Sequence, residues 1–482
     1  MHNILTAKMN EEKIDMDKVV CAVDIGTSKV AALVGRRNQF GKIEILGIGI
    51  CPSFGVARGV VVSITKTVDS IRKAVQKAEE QSGITFTKVH VGIAGQHIKS
   101  IQNRSQINRT NTDSWITHED VRKLKNESFK IALPPGDKIL HVLQQEFIID
   151  NEPGIQDPVG MMGVKMEGNF HIITGGDSHI QNIERCVRAA GLEIASIELE
   201  PLASADAVLS KQELEAGVAL VDIGGGTTDI AIFENYIIRH TAVIPLGGNI
   251  ITEDLRDFRI LREQAEELKV KLGAAIPTED LRNQHVTIEG IQPGIKRELN
   301  LMSVAKVISA RMIEILANVE HQIKMSGYSK KLIGGIVLTG GGSQLKHLVQ
   351  LSELETGQNA RVGLPREHLA STKISNIDNP IFATGIGLLI RAFKMYDEEE
   401  LIETEKREKL GINRISTIAD VQSIEPNIIT QTEDGEIKDK EQTKKEEEKN
   451  VDDNGTKKPS IVSSWFEKFG NWVKSDTDFT DV

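Results

Sequence analysis

Residues 218–232 read VALVDIGGGTTDIAI: an apolar strand-forming run, an aspartate, three glycines and two threonines, then a second apolar strand. Residues 19–34, VVCAVDIGTSKVAALV, repeat the design. In each copy an aspartate, Asp24 or Asp222, ends the first strand and a Gly/Thr turn follows. A third glycine turn, LTGGGSQL at 338–345, follows another apolar strand. Glycine admits positive φ and lets backbone amides approach a ligand closely, and successive amides in such a turn form an anion-binding nest. The pattern predicts two phosphate hairpins. Gly224, Gly225, Gly226, Thr227 and Thr228 form one; Gly26, Thr27 and Ser28 form the other, on the opposite side of a triphosphate. Asp24 and Asp222 then face each other across the phosphates. Two carboxylates there would hold Mg²⁺ through water, because Mg²⁺ dehydrates reluctantly. One DIGGG alone is equally an ordinary glycine-rich hairpin. Two copies in the same strand–turn–strand context, with a third turn after a strand, carry the ligand reading. No GK[ST] follows the glycines, which excludes a Walker motif.

The 482 residues are enough for several domains. A net charge of −11 argues against a broad nucleic-acid surface. Cys21, Cys51 and Cys186 have no zinc spacing and fit a reducing cytosol. The first 17 residues are too charged for a signal peptide and read as a mobile tail. No apolar run is long enough to span a bilayer.

After the first hairpin, strands are expected at 42–50 and 60–64 and a helix at 65–81, stopped by Gly83. Residues 86–175 read as a small inserted α+β domain: strand 89–93, helix 117–129 with a capping-box start, strands 139–149 and 164–174. Its histidines, His90, His97, His118 and His141, are scattered, and packed or surface roles outweigh a metal site. A helix at 178–190 and a strand at 193–200 follow, and Pro201 opens the next helix. Glu200 either supports that helix N-terminus electrostatically or orients the water that attacks the terminal phosphate; Glu200 and Asp222 are thus the candidate catalytic residues. Glu266 and Lys269 lie three apart on one helical face, a solvated ion pair on the plainest reading. A long amphipathic helix is expected at 299–325 and a last helix at 381–393, with the folded part ending near Tyr396. Residues 397–459, rich in Glu, Lys, Asp and Thr, read as a disordered charged linker. Residues 461–474, IVSSWFEKFGNWVK, then place Trp465, Phe466, Phe469 and Trp472 on one helical face beside Lys468 and Lys474. That is the design of an interfacial membrane helix, with docking in a protein groove as the competing reading.

Together, DIGTSKV, VGIAGQHI, ILHVL, DPVGM, VDIGGGTTDIAI, AEELK, GGIVLTGGGSQL and NPIFATGIGL make the chain resemble the bacterial cell-division FtsA family over roughly residues 18–395 and the terminal helix. The resemblance implies an α/β, actin-like two-lobed fold of duplicated ribonuclease-H-like domains. The first lobe would hold 18–85 and 176–210, the second 211–396, with the insert in place of the usual fourth subdomain and the amphipathic helix at 460–475. It implies ATP and Mg²⁺ as ligands, with Asp24, Asp222 and Lys29 at the phosphates and metal. Glu266, Lys269, Gly340, Gly341, Gly342 and Ser343 would lie around the adenosine. It implies head-to-tail self-assembly through the insert, recruitment of later division proteins, and attachment to the cytoplasmic face of the membrane at the septum. The C-terminal tail of FtsZ would bind a basic patch with Arg297 and Arg311, which are equally plain solvated helix charges. Hydrolysis is expected to be slow or absent.

Two other classes share such a fold. A small-molecule kinase needs a substrate pocket with a dedicated base, for which the sequence offers no candidate, and has no place for the terminal helix. A pilus-assembly ATPase with a similar insert is the nearer rival, and the same helix argues against it.

Overall fold

The computed structural model describes residues 19–109, 114–289, 296–370 and 374–409. β1 (Val19–Ile25) and β2 (Lys29–Arg37) pair antiparallel, Asp24 opposite Ala31. Both are buried on both faces, as their continuous Val/Ala/Leu runs require. β3 (Ile43–Pro52) extends the sheet with alternating burial. Past the short pair β4 (Val56–Ala57) and β5 (Val60–Val61), helix α1 (Ile64–Ser82) lies across β3 and β2. Glycines in β3 permit that approach: a Cβ on Gly49 would sit 1.8 Å from the Ala74 carbonyl oxygen. α1 ends at Gly83 in the left-handed region, φ 70°. β6 (Lys88–Ile93) then runs parallel to β1.

The insert follows: β7 (Lys99–Asn108), α2 (His118–Ser128), β8 (Asp137–Ile149), β9 (Glu152–Ile155) and β10 (Lys165–Gly176). Its antiparallel sheet has the order β7-β10-β8-β9. α2 starts at the expected Thr117/Asp120 capping box, and Ile116, Leu124, Phe147, Met166 and Phe170 form a separate small core. One expectation is corrected. Strand 89–93 belongs to the first lobe's sheet, and the insert's own first strand is β7. Its sequence, KSIQNRSQIN, has no fully buried residue, so the apolar alternation that announces a strand is missing.

α3 (Asp177–Ala189) leads to β11 (Glu193–Leu199), which pairs parallel with β6 and completes the first sheet, β11-β6-β1-β2-β3. After α4 (Glu200–Val208) and α5 (Lys211–Ala216), the topology repeats. β12 (Val218–Ile223), β13 (Thr228–Glu234) and β14 (Ile237–Ile244) are antiparallel neighbours. α6 (Gly248–Leu255), α7 (Arg262–Leu272), the hairpin β15 (His285–Glu289) and β16 (Lys296–Asn300), and α8 (Leu301–Met325) follow. β17 (Ile336–Thr339), α9 (Leu348–Thr356) and β18 (Ala360–Val362) then add two parallel strands. The sheet order β14-β13-β12-β17-β18 matches the first sheet strand for strand, three antiparallel then two parallel. α8 buries the predicted stripe, Val304, Ile308, Met312, Ile315, Val319 and Ile323 among it.

α4 and α10 (Ala383–Lys409) join the two sheets through one core that contains Leu33, Ala203, Leu220, Phe233, Phe382, Ile386 and Leu389. The two helices pack so closely that a Cβ on Gly387 would lie 1.8 Å from the Ala203 carbonyl oxygen. Each fully buried Leu or Ile in this core stabilises the fold by roughly 1.5–3 kcal/mol. α10 runs past the expected end at 393 and through the first part of the expected linker. Glu and Lys, read there as a disorder signal, are also strong helix formers, and Arg37 holds this stretch by pairing with Asp397 at 2.7 Å. The expected N-terminal tail and membrane helix lie outside the described residues.

Candidate functional site

The duplication brings the two signature hairpins to one place. Asp24 near the end of β1 and Asp222 near the end of β12 occupy equivalent positions in the two sheets. Their turns abut: a Cβ on Gly225 would lie 1.9 Å from Ser28 Oγ, and one on Gly226 would lie 2.6 Å from Thr27 Oγ1. Ser28 Oγ donates to Asn249 Oδ1 at 3.3 Å, and Thr27 Oγ1 accepts from the Gly59 amide at 3.2 Å. The second turn is closed by Gly224 N donating to Thr227 O at 2.9 Å. α6 begins against it, with the Gly248 and Asn249 amides donating to the carbonyls of Gly224 and Gly225 at 2.9 and 2.7 Å. Thr228 Oγ1 donates to Leu246 O at 2.9 Å. Residues 246–249 therefore support the turn.

Acidic side chains gather behind the turns. Asp222 accepts from Ser204 Oγ of α4 at 2.8 Å, and burial is the main force pushing its carboxyl above the usual range, with Asp24 adding to it. Glu200, the first residue of α4, is pushed well above its usual value by burial and then by Asp24, Asp229 and Asp222. Asp24 meets Lys29 at 3.4 Å. The sequence reading missed Asp229. Antiparallel register places it directly opposite Asp222, and directly paired residues share a face. The two aspartates flanking the glycines of DIGGGTTD were the available signal. Asp229 Oδ2 accepts from Thr227 Oγ1 at 2.9 Å, while Oδ1 is buried without a partner. Burial and Asp222 push this carboxyl up to about 7.

Buried carboxylates left short of partners are costly, and an oxygen-rich acidic set suits a hard divalent cation. Among the described residues no three His, Cys, Asp or Glu side chains are arranged to enclose a metal directly. A hydrated Mg²⁺ shared with phosphate oxygens needs no such enclosure, so the residues present fit Mg²⁺ with a nucleotide.

The third turn sits beside β12. Gly340 has φ +78°, and a Cβ there would lie 2.2 Å from Asp222 Oδ1. Ser343 Oγ is turned inward, donating to Gly340 O at 2.8 Å, whereas Gly341 has only an Ile381 methyl within van der Waals reach. Gly342 packs on Ile223. Lys269 is buried, which corrects the reading of a solvated ion pair. Its ammonium donates to Gly248 O, Thr252 Oγ1 and Glu266 Oε2 at 2.9, 2.8 and 2.7 Å. Burial lowers its pKa, opposed by Glu266. The pair thus ties α7 to the start of α6, the helix that backs the second turn.

Arg311 is not part of a basic patch. Its guanidinium binds Asp254 fork to fork at 2.7 and 3.0 Å and also meets Glu314. The surrounding pocket, about 390 Å³, is lined by Asp254, Asp257, Phe258, Val307, Ala310, Arg311 and Glu314, three carboxylates against one cation. Arg297 lies half-buried on β16, paired with Ile288, and does not line this pocket.

Comparison with known proteins decides the family. The chain is 39% identical to the cell division protein FtsA of Pseudomonas aeruginosa over 378 residues, 78% of this chain and 90% of that protein. This chain belongs to the FtsA family. FtsA of Bacillus subtilis is 36% identical over 77% of this chain and 83% of its own length, and that of Escherichia coli K12 is 33% identical over 77% and 90%. The family model for cell division protein FtsA matches residues 219–387, and that for the SHS2 domain inserted in FtsA matches 95–174. A solved PilM-PilN type IV pilus biogenesis complex shares the fold at 16% identity, with a TM-score of 0.56 over 77% of this chain and 98% of that one. This is a cell-division protein with the actin-like fold and the FtsA insert. Among the described residues no helix is long and apolar enough to cross a membrane.

Proposed function

We propose that this FtsA-family chain binds Mg·ATP between its two hairpins, assembles with its own copies through the insert, and links FtsZ, by its C-terminal tail, to the cytoplasmic face of the membrane at the septum. The observation that carries the reading is the meeting of two topologically equivalent hairpins, each with an aspartate before a glycine turn, over a cluster of acids in which Asp229 Oδ1 has no partner. The glycine turns would bind phosphate oxygens through backbone amides. Asp24 and Asp222 would hold the hydrated Mg²⁺, which neutralises phosphate charge when bound. Lys29 supplies a cation on the first-hairpin side. Glu266 and Lys269, tied to α6, would line the adenosine side with Gly340, Gly341, Gly342 and Ser343. Burial and the neighbouring carboxylates hold the Glu200 carboxyl well above its usual value, and hydrolysis is proposed to be slow or absent.

The apolar face with Trp465, Phe466, Phe469 and Trp472 would insert shallowly at the interface. One copy binds weakly and a filament binds by avidity. Later division proteins would join through the assembled form. Flotation of the full chain with liposomes, with and without ATP, tests the whole. ATP-dependent filaments on anionic vesicles, lost in a Trp465→Glu/Trp472→Glu variant that still binds ATP, are expected. A double variant that floats like the parent would overturn the membrane half, and a parent chain that binds no ATP would overturn the cleft half.

A further inference from the structure

We propose that His97 and His179 form a site for an imidazole-seeking divalent metal ion of the Zn²⁺ or Ni²⁺ class, which ties the insert to the first lobe. The two residues flank the insert. His97 lies between β6 and β7, where the chain enters it, and His179 lies in the first turn of α3, where the chain has just left it. Their rings meet, with centroids 4.5 Å apart and planes tilted by 35°. Three ring nitrogens, both of His97 and Nδ1 of His179, are buried with no hydrogen-bond partner. A neutral imidazole carries one donor and one acceptor, so His97 strands both, which costs stability unless water or an ion meets them. Glycine makes room for the rings. A Cβ on Gly95 would lie 3.0 Å from His97 Nδ1, and one on Gly176 would lie 2.8 Å from His179 Cδ2. Both crossings are pinned: the Ile98 amide donates to Gly95 O at 3.0 Å, and the Asp177 amide donates to Gly136 O at 2.8 Å.

Imidazole suits Zn²⁺, Cu²⁺ and Ni²⁺, whereas Mg²⁺ takes oxygen, so this site is separate from the phosphate cleft and independent of the Mg·ATP reading. Two imidazoles on neighbouring positions of one ion, each bonded at about 2.0–2.1 Å, have centroids roughly 4.5–5 Å apart, and the pair matches that spacing. Among the described residues no third His, Cys, Asp or Glu completes the set. Water fills the other positions, as at open zinc sites. Both side chains are only half-buried, which gives the ion a way in. Bound there, it joins entry to exit and holds the insert against the first lobe.

The test titrates Zn²⁺ by calorimetry into the full chain, without any added histidine tag and with excess Mg²⁺ to occupy hard-cation sites. The parent is compared with His97→Gln, His179→Gln and the double variant. The chain has 12 histidines, so the readout is one equivalent that depends on these two. Its affinity should fall by about tenfold or more in each single variant, at least the cost of losing a partner that orients a metal's ligand. The double variant should lose far less than the sum of the two, because they act as one unit. In the parent, Zn²⁺ should slow amide exchange at 95–99 and 175–181 together. Zinc-edge X-ray absorption of the parent at one equivalent should show two imidazoles with oxygen ligands, a result that stands whether or not a variant folds. A parent that binds no such equivalent overturns the proposal and leaves the nitrogens to water. So does an equivalent that both single variants keep, a shell with fewer than two imidazoles, or exchange that slows at one crossing alone.

Discussion

The insert and the cleft both bury charge and treat it in opposite ways. In the insert, Arg109 is 8% exposed. Its guanidinium donates to Gly163 O at 2.6 Å, Trp115 O at 2.8 Å, Ser114 O at 2.9 Å and Oγ at 3.1 Å, and Asp120 at 3.3 Å. Asp120, despite the upward push of burial, is held below the usual carboxylate range by Thr117 and Arg109. In the cleft, Asp229 keeps an orphan oxygen, and Glu200, Asp222 and Asp229 are all pushed upward. A satisfied buried ion fixes loops in one arrangement. A buried carboxylate oxygen with no donor costs stability.

The largest expected effect lies on the satisfied side. Arg109→Met should destabilise the insert by about 3–5 kcal/mol, because three carbonyls and a carboxylate lose their donor in the interior. Hydrogen exchange of α2 and β10 should rise while ATP affinity holds. A loss below about 1 kcal/mol would erase the contrast. On the other side, Gly225→Val should abolish ATP binding by calorimetry, since its Cβ would collide with Ser28 Oγ. The stability cost should be only about 1–3 kcal/mol, that of overpacking. Lys269→Met should cost a similar or smaller amount, about 1–3 kcal/mol, by removing the three hydrogen bonds of the buried ammonium, and should weaken ATP binding without abolishing it.

The smallest effect distinguishes the regions by sign. His141 and His171, on β8 and β10, are lowered to about 4, mainly by burial. His141 Nε2 accepts from the Leu199 amide, and His171 touches Thr241 on β14, so both lie where the insert meets the lobes. Their folded values are below the unfolded one. The stability they support is complete above about 6.5 and is lost as pH falls toward 4, by about 1.4 kcal/mol per group per pH unit at most. Asp229 has the opposite sign: raised to about 7, it stabilises most at low pH and loses that contribution as pH rises through 7. Protection factors, corrected for the intrinsic pH dependence of exchange, should therefore fall on acidification from pH 7 to 4 at the insert's contacts and rise at the second hairpin. Parallel slopes would contradict the comparison.

How much of this was legible in sequence follows the same divide. The hairpins and α8 announced themselves because continuous apolar runs, glycine turns and a 3.6-residue stripe are local signals. β7 carries few apolar residues and was silent. α10 was cut short because its Glu/Lys composition signals both helix and disorder. Arg311 read as a free cation because its partner, Asp254, lies 57 positions away in sequence. Asp229 sat inside the quoted motif, but its importance comes from strand register and from an oxygen that finds no donor. Neither is written in residue type.

The claim that the cleft is built incomplete, to be finished by Mg·ATP, is tested most directly by the thermal midpoint of the full chain with Mg·ATP, with ATP and EDTA, and with neither. A nucleotide at about a hundred times its dissociation constant stabilises the folded state by roughly 2.7 kcal/mol. The account predicts a rise of about 3 °C with Mg·ATP and a much smaller one with ATP and EDTA. A midpoint that Mg·ATP leaves where it was would contradict it.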